Sequence, residues 1–234
     1  MKTFLTPLRA ATLALATILA VPALPSAVGS AQAATERYFD QQSGRWKDRP
    51  VQRRANYKPA KKFWRQTVKL RTDEKPGTIV VDTQSKLLYL VQPGGKAIRY
   101  GIGVGREGFG WNGVVKVGRK AKWPSWTPPA EMVARERKKG NKIPRFVKGG
   151  PKNPLGARAL YLYKGSRDTI FRIHGTKEPW SIGLNMSSGC IRMMNKDIEH
   201  LYERAPKGAK VVVIGPRGEG RPASFRPGRR VASR

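Results

Sequence analysis

The chain has 234 residues, 39% of them hydrophobic, and carries 47 Lys+Arg against 15 Asp+Glu, a formal net charge of +32. That length suits one main domain with flanking segments and is ample for a core. A single Cys excludes an internal disulfide framework, and two His beside it argue against a Cys/His zinc site, so no metal or cofactor is expected. The charge points to a polyanionic partner: nucleic acid, an anionic membrane surface or a cell-wall polymer.

The first residues narrow that choice. Lys2 and Arg9 form a positive n-region, Ala10 to Val21 is an uncharged apolar run, and Pro22 and Pro25 break it. Ala31-Gln32-Ala33 then places small residues at the −3 and −1 positions of a cleavage site. This is the pattern of a secretory signal peptide, and the run is too short to span a bilayer core of about 30 Å. Residues 1–33 are therefore expected to be a signal peptide, with the mature chain starting at Ala34 and working outside the cytoplasm. Export weighs against a nucleic-acid partner.

Residues 34–75 hold 13 Lys+Arg and 5 Asp+Glu with little periodicity, and read as a basic, flexible arm. Residues 76–214 still carry 26 Lys+Arg against 9 Asp+Glu, so the folded domain is itself basic. Within it Thr78–Val81, Lys86–Val91 and Ala97–Val104 read as strands, the last two joined by a Pro93-Gly94-Gly95 turn. Trp111–Val117 is a further strand. Lys120–Pro154, rich in Pro, Gly and Trp, reads as a long binding loop, either lid or brace. Leu160–Tyr163 and Thr169–Ile173 are strands meeting at Lys164-Gly165-Ser166. Asn195–Ala205 reads as a helix capped by Asn195 and stopped by Pro206, and Lys210–Ile214 as a last strand. Residues 215–234, with six Arg and one Glu, read as a second basic tail. Short strands with one clear helix define a mainly β fold.

Gly103-x-Gly105-x-x-Gly108 matches a dinucleotide fingerprint, but turn and strand chemistry follows it rather than a helix. Asp82, Glu131, Asp168 and Glu178 show no spacing that pairs carboxylates and are left without a role. The stronger signal is the free Cys190, a liability in an oxidising compartment unless it is used. Gly189 permits a tight turn that exposes the sulfur and aims successive N–H groups into one hollow, as an oxyanion hole requires. Arg192 brings positive charge that lowers the thiol pKa and offers a fork to a substrate carboxylate. A thiolate nucleophile needs a base. His174 ends an apolar strand at a loop, whereas His200 lies mid-helix off the apolar face, so His174 is the candidate.

These residues resemble a family. Ile173-His174-Gly175-Thr176 and Ser188-Gly189-Cys190-Ile191-Arg192-Met193, with thirteen residues between His174 and Ser188, look like the signature of L,D-transpeptidase catalytic domains of the YkuD type. Asn153–Leu162 resembles the strand that approaches it, and the likeness covers roughly residues 76–214. It implies an L,D-transpeptidase-like β-sandwich with a short helix after the catalytic Cys. It also implies a cysteine acyltransferase of peptidoglycan, located in the periplasm or cell wall, peripheral to the wall rather than membrane-spanning, and a carbapenem target. Cys190 would attack the L-centre–D-Ala bond of a tetrapeptide stem and His174 would manage protons. The Gly189 and Cys190 N–H groups would hold the oxyanion, and Ser187 matches the motif serine. Arg192 would organise the pocket, with Ser188 and Gly175 beside it. Trp126, in the long loop, is placed on the substrate side, that segment being either a lid that excludes water or a rigid Pro-rich brace. The acceptor would be a stem amine, giving a 3-3 cross-link; an envelope protein or a D-amino acid is the alternative acceptor, and a non-catalytic wall-binding protein the alternative class. Many members have His at the position of Ser188 and some have Ser at that of Gly175. Here His174 is left as the one base, and a backbone carbonyl must orient it.

Overall fold

Alternating and apolar runs become strands in the computed structural model, which describes residues 57–105, 110–138, 140, 142 and 144–231, together with the backbone of two paired strands nearer the N-terminus. The signal-peptide expectation for residues 1–33 lies outside the described residues. In chain order the strands are β1 (Thr35–Asp40), β2 (Arg45–Pro50), β3 (Gln66–Arg71), β4 (Ile79–Asp82), β5 (Leu87–Gln92), β6 (Lys96–Gly105) and β7 (Gly113–Lys122). Helix α1 (Ala130–Lys138) precedes β8 (Arg158–Lys164), β9 (Arg167–His174), β10 (Asn185–Ser187) and β11 (Ile191–Met193). Helix α2 (Asn195–Arg204), β12 (Lys210–Ile214) and β13 (Arg226–Arg230) complete the chain. The fold is mainly β, and α2 is the short helix expected after Cys190.

β1 and β2 form an antiparallel pair. The remaining strands run β11-β9-β8-β7-β12-β4-β5-β6-β3-β13, and β11 also pairs β6, so the path closes on itself. The ten-residue β6 makes this possible by serving different neighbours along its length. Its first half pairs β3 and β5, Ile102 and Gly103 pair β11, and Val104 and Gly105 pair β10. Glycine is required there: a Cβ on Gly101 would lie 2.4 Å from the Phe63 carbonyl oxygen, and one on Gly103 2.4 Å from that of Ser181. Gly103 and Gly105 are thus paired strand backbone, and the next element is strand β7, in line with the strand reading of that glycine motif; residues 106–109 lie outside the described residues.

The inward faces of the circuit meet in one core. Ile79, Val81, Leu88, Leu90, Tyr100 and Ile102 from one half meet Val117, Leu160, Leu162, Ile173, Ile191 and Met193 from the other, with Ile198 and Leu201 of α2 packed against them. The outer face of β4, β5 and β12 is buried too, in a second cluster of Val80, Tyr89, Val91, Val212 and Ile214 covered by Val68, Leu70 and Phe225.

That second layer corrects both terminal expectations. β3 falls inside the segment read as a flexible arm. Its Val68 and Leu70 are buried while Thr67, Lys69 and Arg71 face out, a two-residue alternation hidden by basic composition. The segment read as a basic tail is likewise built in. Phe225 packs edge-on against Tyr89 at 5.3 Å, Arg221 pairs with Asp82 at 3.0 Å, and β13 joins β3. Three further differences lie in the helices. α1 stands inside the stretch read as a long loop, with Glu131 in its first turn and Arg135, Arg137 and Lys138 in its last, favourable ends for the helix dipole. The N-cap of α2 is Met194 rather than Asn195, whose Oδ1 instead accepts from Ala157 N at 3.0 Å. His200 is half-buried, its Nδ1 2.9 Å from the Tyr100 hydroxyl, not turned simply to solvent.

Candidate active site

β9 and β11 run parallel, Ile173 opposite Ile191 and His174 opposite Arg192. Ile173, Ile191 and Met193 fill the core. Successive strand residues face opposite sides, so Arg172, His174 and Arg192 share the other face, and Cys190, just before β11, continues it. Two strands that hide isoleucine thereby present thiol, imidazole and two guanidinium groups together.

The turn carrying the thiol is pinned from both sides. Ser187 Oγ donates to the Cys190 carbonyl at 2.5 Å and accepts from Gly189 N at 3.2 Å. Trp111 Nε1 donates to the Gly189 carbonyl at 3.2 Å. Gly189 has φ +102°, where glycine is favoured. Its N–H, expected as an oxyanion donor, is directed at Ser187 Oγ instead, so Ser187 acts as the strut of the turn.

His174 is buried, 4% exposed, with Nδ1 2.5 Å from the Gly175 carbonyl. A carbonyl only accepts, so Nδ1 carries the hydrogen and Nε2 keeps its lone pair. The orienting group is a backbone carbonyl, as the Gly at 175 requires. Burial, then the charges of Arg192 and Arg172, push the imidazole pKa down to about 3 against the opposing pull of the Gly175 bond. Burial likewise pushes the Cys190 thiol up, opposed by the backbone N–H of Arg172 and the charges of Arg172 and Arg192. The lowering expected from Arg192 is present but is outweighed by desolvation. Both shifts favour the uncharged forms, thiol and imidazole.

Arg192 is not an empty fork. Its Nη1 donates to Glu178 Oε2 at 2.8 Å, which gives Glu178 the role its sequence spacing did not. Ser188 accepts from Arg135 Nη2 of α1 at 3.2 Å, so the long segment touches the nucleophile turn through a helix. Trp126 lies in that segment, bridged to Val147 by two backbone hydrogen bonds of 2.9 and 2.8 Å. Gly175, expected on the substrate side, is buried: a Cβ there would lie 2.2 Å from Asn195 Oδ1, so it is a packing glycine whose carbonyl serves His174. Arg172, Asp168, Trp111 and Asn195 were not legible as site residues, because each acts through a neighbour distant in sequence.

With this geometry the chain falls into a known class. Residues 76–213 match the family model of the YkuD L,D-transpeptidase catalytic domain, and the chain belongs to that family. The Escherichia coli protein named "Probable L,D-transpeptidase YbiS" is 37% identical over 140 residues, 59% of this chain and 44% of that protein. "Probable L,D-transpeptidase ErfK/SrfK" of Escherichia coli is 37% identical over 139 residues, 58% of this chain and 43% of its own. A solved chain from Brucella melitensis, named "Probable carnitine operon oxidoreductase caia", is 46% identical and covers 65% of this chain and 94% of its own, with a TM-score of 0.45. The chain thus spans less than half the length of the two Escherichia coli relatives.

Proposed function

We propose that the protein is an exported cysteine acyltransferase acting on peptidoglycan tetrapeptide stems. The observation that carries this reading is the shared strand face on which a neutral His174, its Nε2 lone pair fixed by the Gly175 carbonyl, accompanies a thiol presented by a pinned turn. His174 Nε2 takes the Cys190 proton as Sγ attacks the carbonyl of the L-centre–D-Ala amide. The Cys190 N–H faces the developing oxyanion. Protonated His174 then gives its proton to the departing D-Ala amine, leaving a thioester. The side-chain amine of a neighbouring stem attacks the thioester and loses its proton to His174, and the thiolate leaves and is reprotonated. The product is a 3-3 cross-link.

Arg192 shares the strand face with its charge balanced by Glu178, so the attraction for stem carboxylates comes from the excess of Lys and Arg over the whole domain. A domain with 26 Lys+Arg against 9 Asp+Glu over residues 76–214 would gather such a substrate and remain peripheral to the wall. Among the described residues no helix is long and apolar enough to cross a membrane. The test is incubation of the protein with purified disaccharide-tetrapeptide and mass analysis of the products. D-Ala loss coupled to a dimer, abolished by Cys190→Ala, supports the reading. D-Ala loss without dimer redirects the acceptor to an envelope protein or a D-amino acid. No turnover by protein with a free thiol refutes it.

A further inference from the structure

Beside Cys190, β9 departs from regular pairing. Tyr161 of β8 faces Arg172 and Tyr163 faces Asp168, so Leu162 alone spans residues 169–171. At the crest of this bulge Ile170 has φ +58° and is 64% exposed. A β-branched residue in the left-handed region is a steric outlier, kept only where its surroundings over-determine it. Those surroundings are specific. Asp168 Oδ1 accepts the Ile170 N–H at 2.8 Å, and both its oxygens take the Arg172 guanidinium, at 2.6 and 2.9 Å. Thr169 Oγ1 donates to the Leu162 carbonyl at 2.7 Å and accepts from Phe171 N at 3.2 Å. The Arg172 guanidinium lies 4.2 Å from the Tyr161 ring centre, and that of Arg119 lies 3.5 Å from the same centre.

The result of the distortion is felt at the sulfur. The Ile170 carbonyl lies 4.0 Å from Cys190 Sγ, and the Arg172 backbone N–H is directed at the same atom. The direction of the Ile170 carbonyl is set by that residue's own dihedrals, so the left-handed conformation at the crest of the bulge decides where it points. Phe171, between them, stacks on Trp111 at 4.7 Å, and Trp111 holds the Gly189 carbonyl, so the bulge and the nucleophile turn are tied a second time.

We infer that the Asp168–Arg172 fork is a positioning device for the nucleophile, holding Ile170 in its left-handed conformation so that the Ile170 carbonyl and the Arg172 N–H both face the Cys190 sulfur. The inference rests on reading Cys190 as the nucleophile. It makes Asp168 and Arg172 positioning residues, since each acts through the backbone it fixes. The Ile170 carbonyl accepts from the S–H in the resting state, and the Arg172 N–H stabilises the thiolate once the proton has gone to His174.

The test follows the alkylation of Cys190 by iodoacetamide across pH, read by intact mass, in the wild type, Asp168→Asn, Arg172→Lys and Ile170→Gly, with melting curves on each. Alkylation needs no stem peptide, so its outcome stands apart from that of the acyl-transfer reading. By charge alone, removing the Asp168 carboxylate would ease thiolate formation and speed alkylation. The positioning role predicts the opposite: a rate near neutral pH at least threefold lower and a pH midpoint raised by about half a unit. Arg172→Lys keeps the charge and loses the fork, so it should slow alkylation similarly and keeps the test open should Asp168→Asn unfold. Glycine takes φ +58° without strain. In an Ile170→Gly background, Asp168→Asn should therefore lose less than half as much on a logarithmic scale. Alkylation profiles that superimpose on the wild type in both fork variants would overturn the inference, as would an equal loss with isoleucine and with glycine at 170.

Discussion

His174 ties the site to the stability of the whole domain, and the size of that link follows from its burial. Unfolded, the imidazole titrates near 6.5; folded, desolvation and the charges of Arg192 and Arg172 bring it to about 3. Above pH 6.5 it is neutral in both states and stability is full. As pH falls from 6.5 toward 3 the unfolded chain takes up a proton that the folded protein refuses, so stability falls by about 1.4 kcal/mol per unit; below 3 no more is lost. Between pH 7.5 and 5.0 the loss is about 2 kcal/mol, roughly 4–8 °C in melting temperature for a domain of this size. His200, lowered to about 4 by burial and by Arg65 and Arg204, titrates in the same window, so the comparison must be internal. The assay is denaturant unfolding at the two pH values of the wild type and His174→Gln, which keeps His200 and every carboxylate. The wild type should lose about 2 kcal/mol more than the variant over this interval. Equal losses would refute the account of a buried neutral imidazole.

Ser187→Ala removes the hydroxyl that joins the Cys190 carbonyl to the Gly189 N–H; unfolding curves should show about 1–3 kcal/mol lost, and turnover should fall at least as far as stability predicts. Gly175→Ala would drive Asn195 Oδ1 from its bond to Ala157, costing roughly 2–3 kcal/mol by the same measurement and loosening the carbonyl that orients His174. Phe225→Ala, in a segment that composition marks as a tail, should cost about 3–5 kcal/mol because the ring closes the second core layer. Carbapenem should add its mass to the wild type and not to Cys190→Ala.

The strands of the main core were legible because their apolar residues run together or sit beside strong turn signals. β5, β8 and β12 lie within two residues of where Leu87–Leu88, Leu160 and Val211–Val213 place them. β3 and β13 were not, since their few inward side chains are outnumbered by Lys and Arg and their pairing is fixed by β6, far along the chain. α1 was obscured by the prolines and glycines around it. In the site, Cys190, His174 and the need for a backbone orienter could be read from one stretch of chain. Glu178, Trp111 and the Asp168–Arg172 fork could not, because their importance comes from register across β8, β9 and β11 and from a bulge that propensity does not forecast. The direction of the thiol shift was also out of reach: charge was visible in Arg192, while the burial that outweighs it appears only on folding.

The central claim is that Cys190 carries the acyl group. Its most direct test is rapid quenching of the protein with disaccharide-tetrapeptide, followed by intact-mass and peptide mapping. The account predicts a thioester of the stem, shortened by its terminal D-Ala, on Cys190 alone and missing in Cys190→Ala. D-Ala release that persists in Cys190→Ala, or an adduct on any other residue, would contradict it.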